Sequence, residues 1–118
     1  MNKGTYDLEE RTSKFAEDII VLCRSINKNI ITVPIIDQLL RAATSIGANY
    51  FEANGASSKK DFKNKICISK KEARETQYWL RLLAKANERS AEDCRKLWKE
   101  SQELTLIFSK IIISSSKN

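Results

Sequence analysis

Apolar residues recur along this chain at alternating steps of three and four, the spacing that gathers them on one side of an α-helix. They do so in four separate stretches. In the first, Leu8, Phe15, Ile19, Leu22 and Ile26 form a stripe that Ala16, Ile20 and Cys23 widen, which predicts a helix over residues 6–26. Thr5 or Asp7 is placed to cap it, and Asp7, Glu9 and Glu10 crowd its start, where the helix dipole favours anions. A connection over residues 27–32 leads to a second helix, 34–53, opening near Pro34, whose missing N–H costs nothing in a first turn. Its seam is Ile36, Leu39, Leu40, Ala43, Ile46, Gly47 and Tyr50. An interior helical glycine costs about 1 kcal/mol relative to alanine. Gly47, among the small residues Ala42, Ala43 and Ala48, therefore predicts a close helix approach.

Asn54 and Gly55 end the second helix, and Ser57 or Ser58 with Asp61 has the spacing of a capping box for the third, 58–87. Ser90 with Asp93 repeats that arrangement before a fourth helix, 91–113, whose seam is Cys94, Leu97, Trp98, Ser101, Leu104, Phe108, Ile111 and Ile112. The tail over residues 114–118 is expected to fray. Four helices joined by short loops predict an all-α fold, an antiparallel up-down-up-down four-helix bundle occupying residues 1–118 as one domain.

The third helix organises the chain because it carries three faces. Phe62, Ile66, Ser69, Ala73, Thr76, Leu80 and Leu83 form its seam into the bundle. Ile68, Glu72, Glu75, Trp79 and Leu82 form a second row, roughly 100° around the helix by its 3.6-residue turn. That row predicts another surface to cover, in the same bundle or in a neighbouring subunit, and is the candidate oligomer interface. Lys60, Lys63, Lys70, Lys71, Arg74, Tyr78, Arg81 and Lys85 take the remaining face.

Charge sharpens this picture. Of the 21 basic and 15 acidic residues, ten basic and four acidic fall between Lys59 and Arg89, so the whole formal excess of +6 sits on this one segment. A concentrated stripe sets up a local field that a scattered excess does not. From Lys60 to Lys85 the stripe spans roughly 38 Å at 1.5 Å per residue, comparable to about one turn of a nucleic-acid helix. Its cations are candidates for sequence-independent, salt-sensitive contacts to RNA or DNA phosphates, with Tyr78 placed to stack on an unpaired base. A solvated helix face bearing ordinary solubility lysines is the competing reading.

Other chemistry is sparsely represented. The chain has three cysteines, Cys23, Cys67 and Cys94, and no histidine, so neither a disulfide framework nor zinc-type spacing is present. No cofactor or metal is expected. Paired carboxylates Glu72 and Glu75 lack a third converging acid on that helix, and salt bridges to Arg41 or Arg81 are expected instead. Arg41 with Asn49, Glu52 and Glu75 is expected to form a polar cluster that fixes register. No P-loop, nucleophile elbow or dinucleotide-binding turn occurs, so catalysis is not expected. With no signal-type apolar run and no uninterrupted span of membrane length, a reducing cytoplasm is the expected location and a membrane is not an expected partner.

The segments YDLEERTSKFAEDI, QLLRAATSIGANYFEANGASSKKDF and KEARETQYWLRLL resemble the "four helix bundle protein" family. Its members are encoded by reading frames in intervening sequences within bacterial 23S rRNA genes, and by stand-alone genes. The resemblance implies an antiparallel bundle that assembles into a ring-like homopentamer. It also implies kinship with the basic accessory subunit of diversity-generating retroelements, which works with a reverse transcriptase and binds nucleic acid. The family's recurrent positions match here as Arg41, Ala42, Ile46, Asn49, Glu52, Phe62, Glu72, Glu75 and Thr76, none of which the resemblance makes catalytic. Two functional readings stand beside each other. One is a non-enzymatic oligomer binding nucleic-acid backbone through helix three. The other is a protein-interaction scaffold or accessory subunit for a nucleic-acid enzyme, without direct nucleic-acid binding.

Overall fold

The computed structural model describes the backbone of residues 3–116 and side chains from Leu8 onward. Four helices follow one another: α1 (Lys3–Ser25), α2 (Thr32–Asn54), α3 (Lys59–Ala86) and α4 (Ala91–Ser116), with a 3₁₀ turn at Glu88–Ser90 before the last. They form the expected antiparallel bundle, 48 Å long and 24 by 19 Å across. The α2–α3 and α3–α4 contacts are the most extensive, and α1 closes the bundle against α2 with a lighter seam to α4.

The seams read from the sequence are the core. Phe15, Ile19, Leu39, Ile46, Ile66, Leu80, Leu83, Leu104 and Phe108 are essentially inaccessible to water. At roughly 1.5–3 kcal/mol for each large side chain fully buried, these positions dominate the favourable side of folding. The polar residues inside the seams are satisfied. Ser69 Oγ donates to the Ile46 carbonyl at 2.9 Å, tying α3 to α2, and Thr76 Oγ1 donates to the Glu72 carbonyl at 2.7 Å. Gly47 is where α1 comes closest: a Cβ added there would lie 3.2 Å from Thr12 Oγ1 and 3.3 Å from Thr12 Cβ. Buried Thr12 donates its hydroxyl to the Leu8 carbonyl at 2.9 Å, so the oxygen that faces the glycine already has a partner. On the opposite flank Arg11 donates to Glu100 through Nε at 2.6 Å and Nη2 at 2.8 Å, a two-pronged link from α1 to α4.

Several local expectations are corrected. The first helix begins at Lys3 rather than Tyr6, so the backbone of Thr5 and Asp7 is already helical; the capping expected of their side chains lies outside the described residues. Ile20 does not widen the core stripe but faces solvent. The second helix starts at Thr32, not Pro34, because Asn29 Oδ1 accepts from the backbone N–H groups of Ile31 and Thr32, both at 2.9 Å. Ser58 caps α3 by accepting from the Asp61 N–H at 3.0 Å, but among the described residues Asp61 returns no bond to complete the box. Ser90 is not a cap of that kind: it closes the 3₁₀ turn, its Oγ donating to the Asn87 carbonyl at 2.8 Å. The tail expected to fray is helical at residues 114–116, where α4 continues through Ser116 and the Ser115 and Ser116 hydroxyls donate back to the Ile112 carbonyl; residues 117–118 lie outside the described residues.

Candidate nucleic-acid interface

With the α3 seam turned inward, the helical repeat leaves its cations outside. Lys60, Lys71, Arg74, Tyr78, Arg81 and Lys85 are exposed, and Lys63 and Lys70 are half-buried. Among the described residues no carboxylate lies within ion-pair distance of Lys60, Lys63, Lys70, Lys71, Arg74 or Arg81. Lys85 reaches only Glu88, at 4.0 Å and with both side chains almost fully solvated, a pair worth little. Lys65, which lies off this face, is drawn to Glu52 at 2.8 Å. The stripe therefore keeps its charge. Midway along it, Cys67, Lys70, Lys71 and Arg74 line a shallow depression of about 330 Å³.

The second row has a partner within the same chain. Arg41 of α2 donates to Glu72 Oε1 at 3.3 Å and to Glu75 Oε2, and the Trp79 indole N–H donates to the same Glu75 oxygen at 2.9 Å. The expected polar cluster is therefore only partly formed. Arg41 and Glu75 join, whereas Glu52 goes to Lys65 and Asn49 Nδ2 donates to the Ser45 carbonyl. Arg81 takes no part in it. Trp79 packs partly against the core, Leu82 is half-buried, and Ile68 remains 38% exposed. On α2, Phe51 is 72% exposed. Tyr78 meets Trp79 edge-on with ring centroids 5.0 Å apart, leaving more than half of the tyrosine in solvent.

Glu75 is held below the usual carboxylate range, first by the Trp79 N–H and then by Arg41, against the opposing cost of burial. A carboxyl depressed in the folded state contributes stability above its unfolded value, near pH 4.3, and loses it as the pH falls through the folded value. Glu75→Gln is thus expected to destabilise the protein at neutral pH by the amount of a surface ion pair, about 0.2–1 kcal/mol. The gap should close as the pH drops below about 4. Thermal melts of both proteins across that range test this, and a gap still undiminished near pH 2 contradicts it.

The structure also brings together residues that the helical pattern assigned separately. Arg81 and Ala84 of α3 face Ala91, Arg95 and Trp98 of α4 across a notch of about 360 Å³. Reading helix three alone could not find Arg95 or place Trp98 at this site. The signal lay in the antiparallel register, which sets the end of α3 beside the start of α4. Cys23 and Cys94 are buried free thiols; burial pushes Cys23 up to about 11 and raises Cys94 as well, so both remain protonated at neutral pH. Among the described residues no three metal-binding side chains converge, and no helix is long and apolar enough to cross a membrane.

The family model described as 23S rRNA-intervening sequence protein matches residues 5–110. A crystal structure of a protein of unknown function from the S23 ribosomal protein family of Bacteroides thetaiotaomicron superposes with a TM-score of 0.78. It is 34% identical, over 88% of this chain and 96% of that one. No curated protein matches the sequence significantly.

Proposed function

The chain belongs to the 23S rRNA-intervening sequence protein family, and from that premise we propose that it is a non-enzymatic, self-associating helical bundle that binds nucleic-acid backbone through the cationic face of α3. One observation carries the reading: six cations on one face of one helix have no carboxylate within 4 Å among the described residues, and of the six Lys71 alone feels a nearby acid, Glu75. A helix face that served only solubility would more often be laced with acids at i±3 and i±4. Here Lys60, Lys63, Lys70, Arg74 and Arg81 have no acid at those spacings and repel one another until an anion arrives. Phosphates on a strand supply such anions at a spacing the stripe can track. Tyr78 adds an exposed ring at the border of the face.

Self-association rests on the second row. Ile68 on α3 and Phe51 on α2 leave apolar area in water, with Trp79 and Leu82 half-buried, and together with Arg41, Glu72 and Glu75 they offer apolar and polar groups of the kinds an interface uses. The ring of five implied by the family resemblance would repeat the cationic face around the particle and multiply weak contacts. The same apolar area supports the alternative reading, in which it receives a nucleic-acid enzyme as partner.

Solution mass measured together with affinity for RNA and DNA at two salt concentrations tests the proposal. The expected mass is a multiple of 13.5 kDa. Binding should weaken steeply between low and moderate salt, by about 10³-fold or more if six or more phosphates are engaged. Affinity indifferent to salt, or no retention at all, overturns the nucleic-acid reading. A monomeric mass overturns the self-association.

A further inference from the structure

The notch between α3 and α4 differs from the depression at Lys70, Lys71 and Arg74 in having an apolar floor. Leu80, Ala84, Ala91 and Cys94 supply small or buried apolar surface, and Trp98 adds an aromatic wall. Arg81 lines it from α3 and Arg95 from α4. No carboxylate is among its lining residues; the nearest engagement is Arg95 with Glu92, at 3.5 Å and with both side chains mostly in solvent. The indole N–H of Trp98 has no acceptor among the described residues, whereas that of Trp79 is bonded to Glu75. Cys94 is an uncharged part of the floor at neutral pH, because burial raises its thiol. Flat apolar surface, one aromatic wall, a free N–H donor and two guanidinium groups match one ligand chemistry: a planar heteroaromatic base with a phosphate attached.

We propose that the Arg81–Arg95–Trp98 notch receives one unpaired nucleotide of a single strand, its base against Trp98 and its phosphate between the two arginines. This rests on the backbone-binding reading above and narrows it. Arg81 belongs both to the stripe and to the notch, so a strand following α3 arrives there with its next nucleotide. The volume, about 360 Å³, is at the small end of ligand sites and suits one nucleotide rather than a stacked pair of bases. A duplex keeps its bases stacked and cannot present one, so single strands should bind more tightly than duplexes of equal phosphate number.

The test compares a short deoxyuridine oligonucleotide, a uridine oligonucleotide of the same length, an abasic strand of that length and a duplex of matched charge, all at low salt. Stacking of one base is expected to make the base-bearing strands bind about five- to a hundredfold more tightly than the abasic strand. A uridine preference would assign the sugar as ribose, and a deoxyuridine preference as deoxyribose. In a Trp79→Phe protein, where Trp98 is the remaining indole, the base-bearing strands should quench fluorescence and the abasic strand should not. Trp98→Leu should erase the preference for bases while leaving abasic binding intact. Should that variant fold poorly, Arg81→Gln with Arg95→Gln, both exposed, should reduce the salt slope by about two contacts. Equal binding of abasic and base-bearing strands, with no quenching, overturns the notch and leaves the backbone reading standing. Failure of every strand to bind at low salt overturns both.

Discussion

Changing Lys63, Lys70, Arg74 and Arg81 together to glutamate is expected to abolish nucleic-acid binding while leaving helical content and melting temperature near those of the parent. Each reversal removes two units of positive charge, so the four take the formal net charge from +6 to −2. The effect is local as well as global. All four sit on the face that carries the unpaired cations, and at physiological salt the field of an exposed charge reaches only about 8 Å. Cations elsewhere on the molecule therefore cannot stand in for them. Each lost phosphate contact lowers the slope of log affinity against log salt by about 0.9, and the new carboxylates repel the strand outright, so a loss beyond about a thousandfold is expected. Folding is spared because none of these side chains is fully buried or, among the described residues, ion-paired, and lysine, arginine and glutamate have similar helix propensities. Titration of a labelled strand by anisotropy, with circular dichroism on the same samples, measures both halves. Binding retained within tenfold in a fully helical variant removes the cationic face as the site.

That expectation depends on how much of the surface could be read before the fold. The seams were legible because burial on a helix repeats every 3.6 residues; Ile66, Ser69, Ala73, Thr76, Leu80 and Leu83 lie where periodicity puts them. Gly47 was legible for a different reason: an unfavourable residue inside a helix implies a neighbour too near for a side chain, and Thr12 is that neighbour. Partner choice was not legible. Arg41 is equally compatible with Glu52 or Glu75 in sequence, and only the α2–α3 register gives it Glu72 and Glu75 while handing Glu52 to Lys65. Nor were the helix ends. Asn29 and Ser90 act through side-chain bonds to nearby backbone, and several residues in each loop could have done so. Ile20 was misplaced because α1 has only a light seam to α4, so the stripe it buries is narrower than its apolar residues suggest. Arg95 and Trp98 became a site only when two helix ends met, which no single periodicity contains.

Phe108→Ala is expected to have the opposite signature: severe loss of stability with binding by the remaining folded molecules unchanged. Phe108 on α4 is fully buried, and its ring centre lies 6.0 Å from that of Tyr50 on α2 at a tilt of 54°. Both helices flank α3, so this pair crosses the bundle and ties together elements that do not follow one another in sequence. Truncation removes the ring's apolar burial and its contact with Tyr50, and it leaves a cavity that surrounding side chains only partly fill. Such changes cost about 3–5 kcal/mol. Against a total stability of about 5–15 kcal/mol, that is a large share of what holds the fold. For a chain of this size the melting temperature should fall by about 10–25 °C. Leu106→Ala, truncating an apolar side chain that is 56% exposed, serves as the control and should change stability by no more than about 0.5 kcal/mol. The side chains proposed to meet phosphate lie outside the core seam of α3, so at a temperature where Phe108→Ala is still folded its affinity should equal the parent's. A small melting shift for Phe108→Ala would mean that the α2–α4 crossing is not packed as described. A matching drop in affinity would mean that the cationic face depends on core geometry rather than on exposed charge alone.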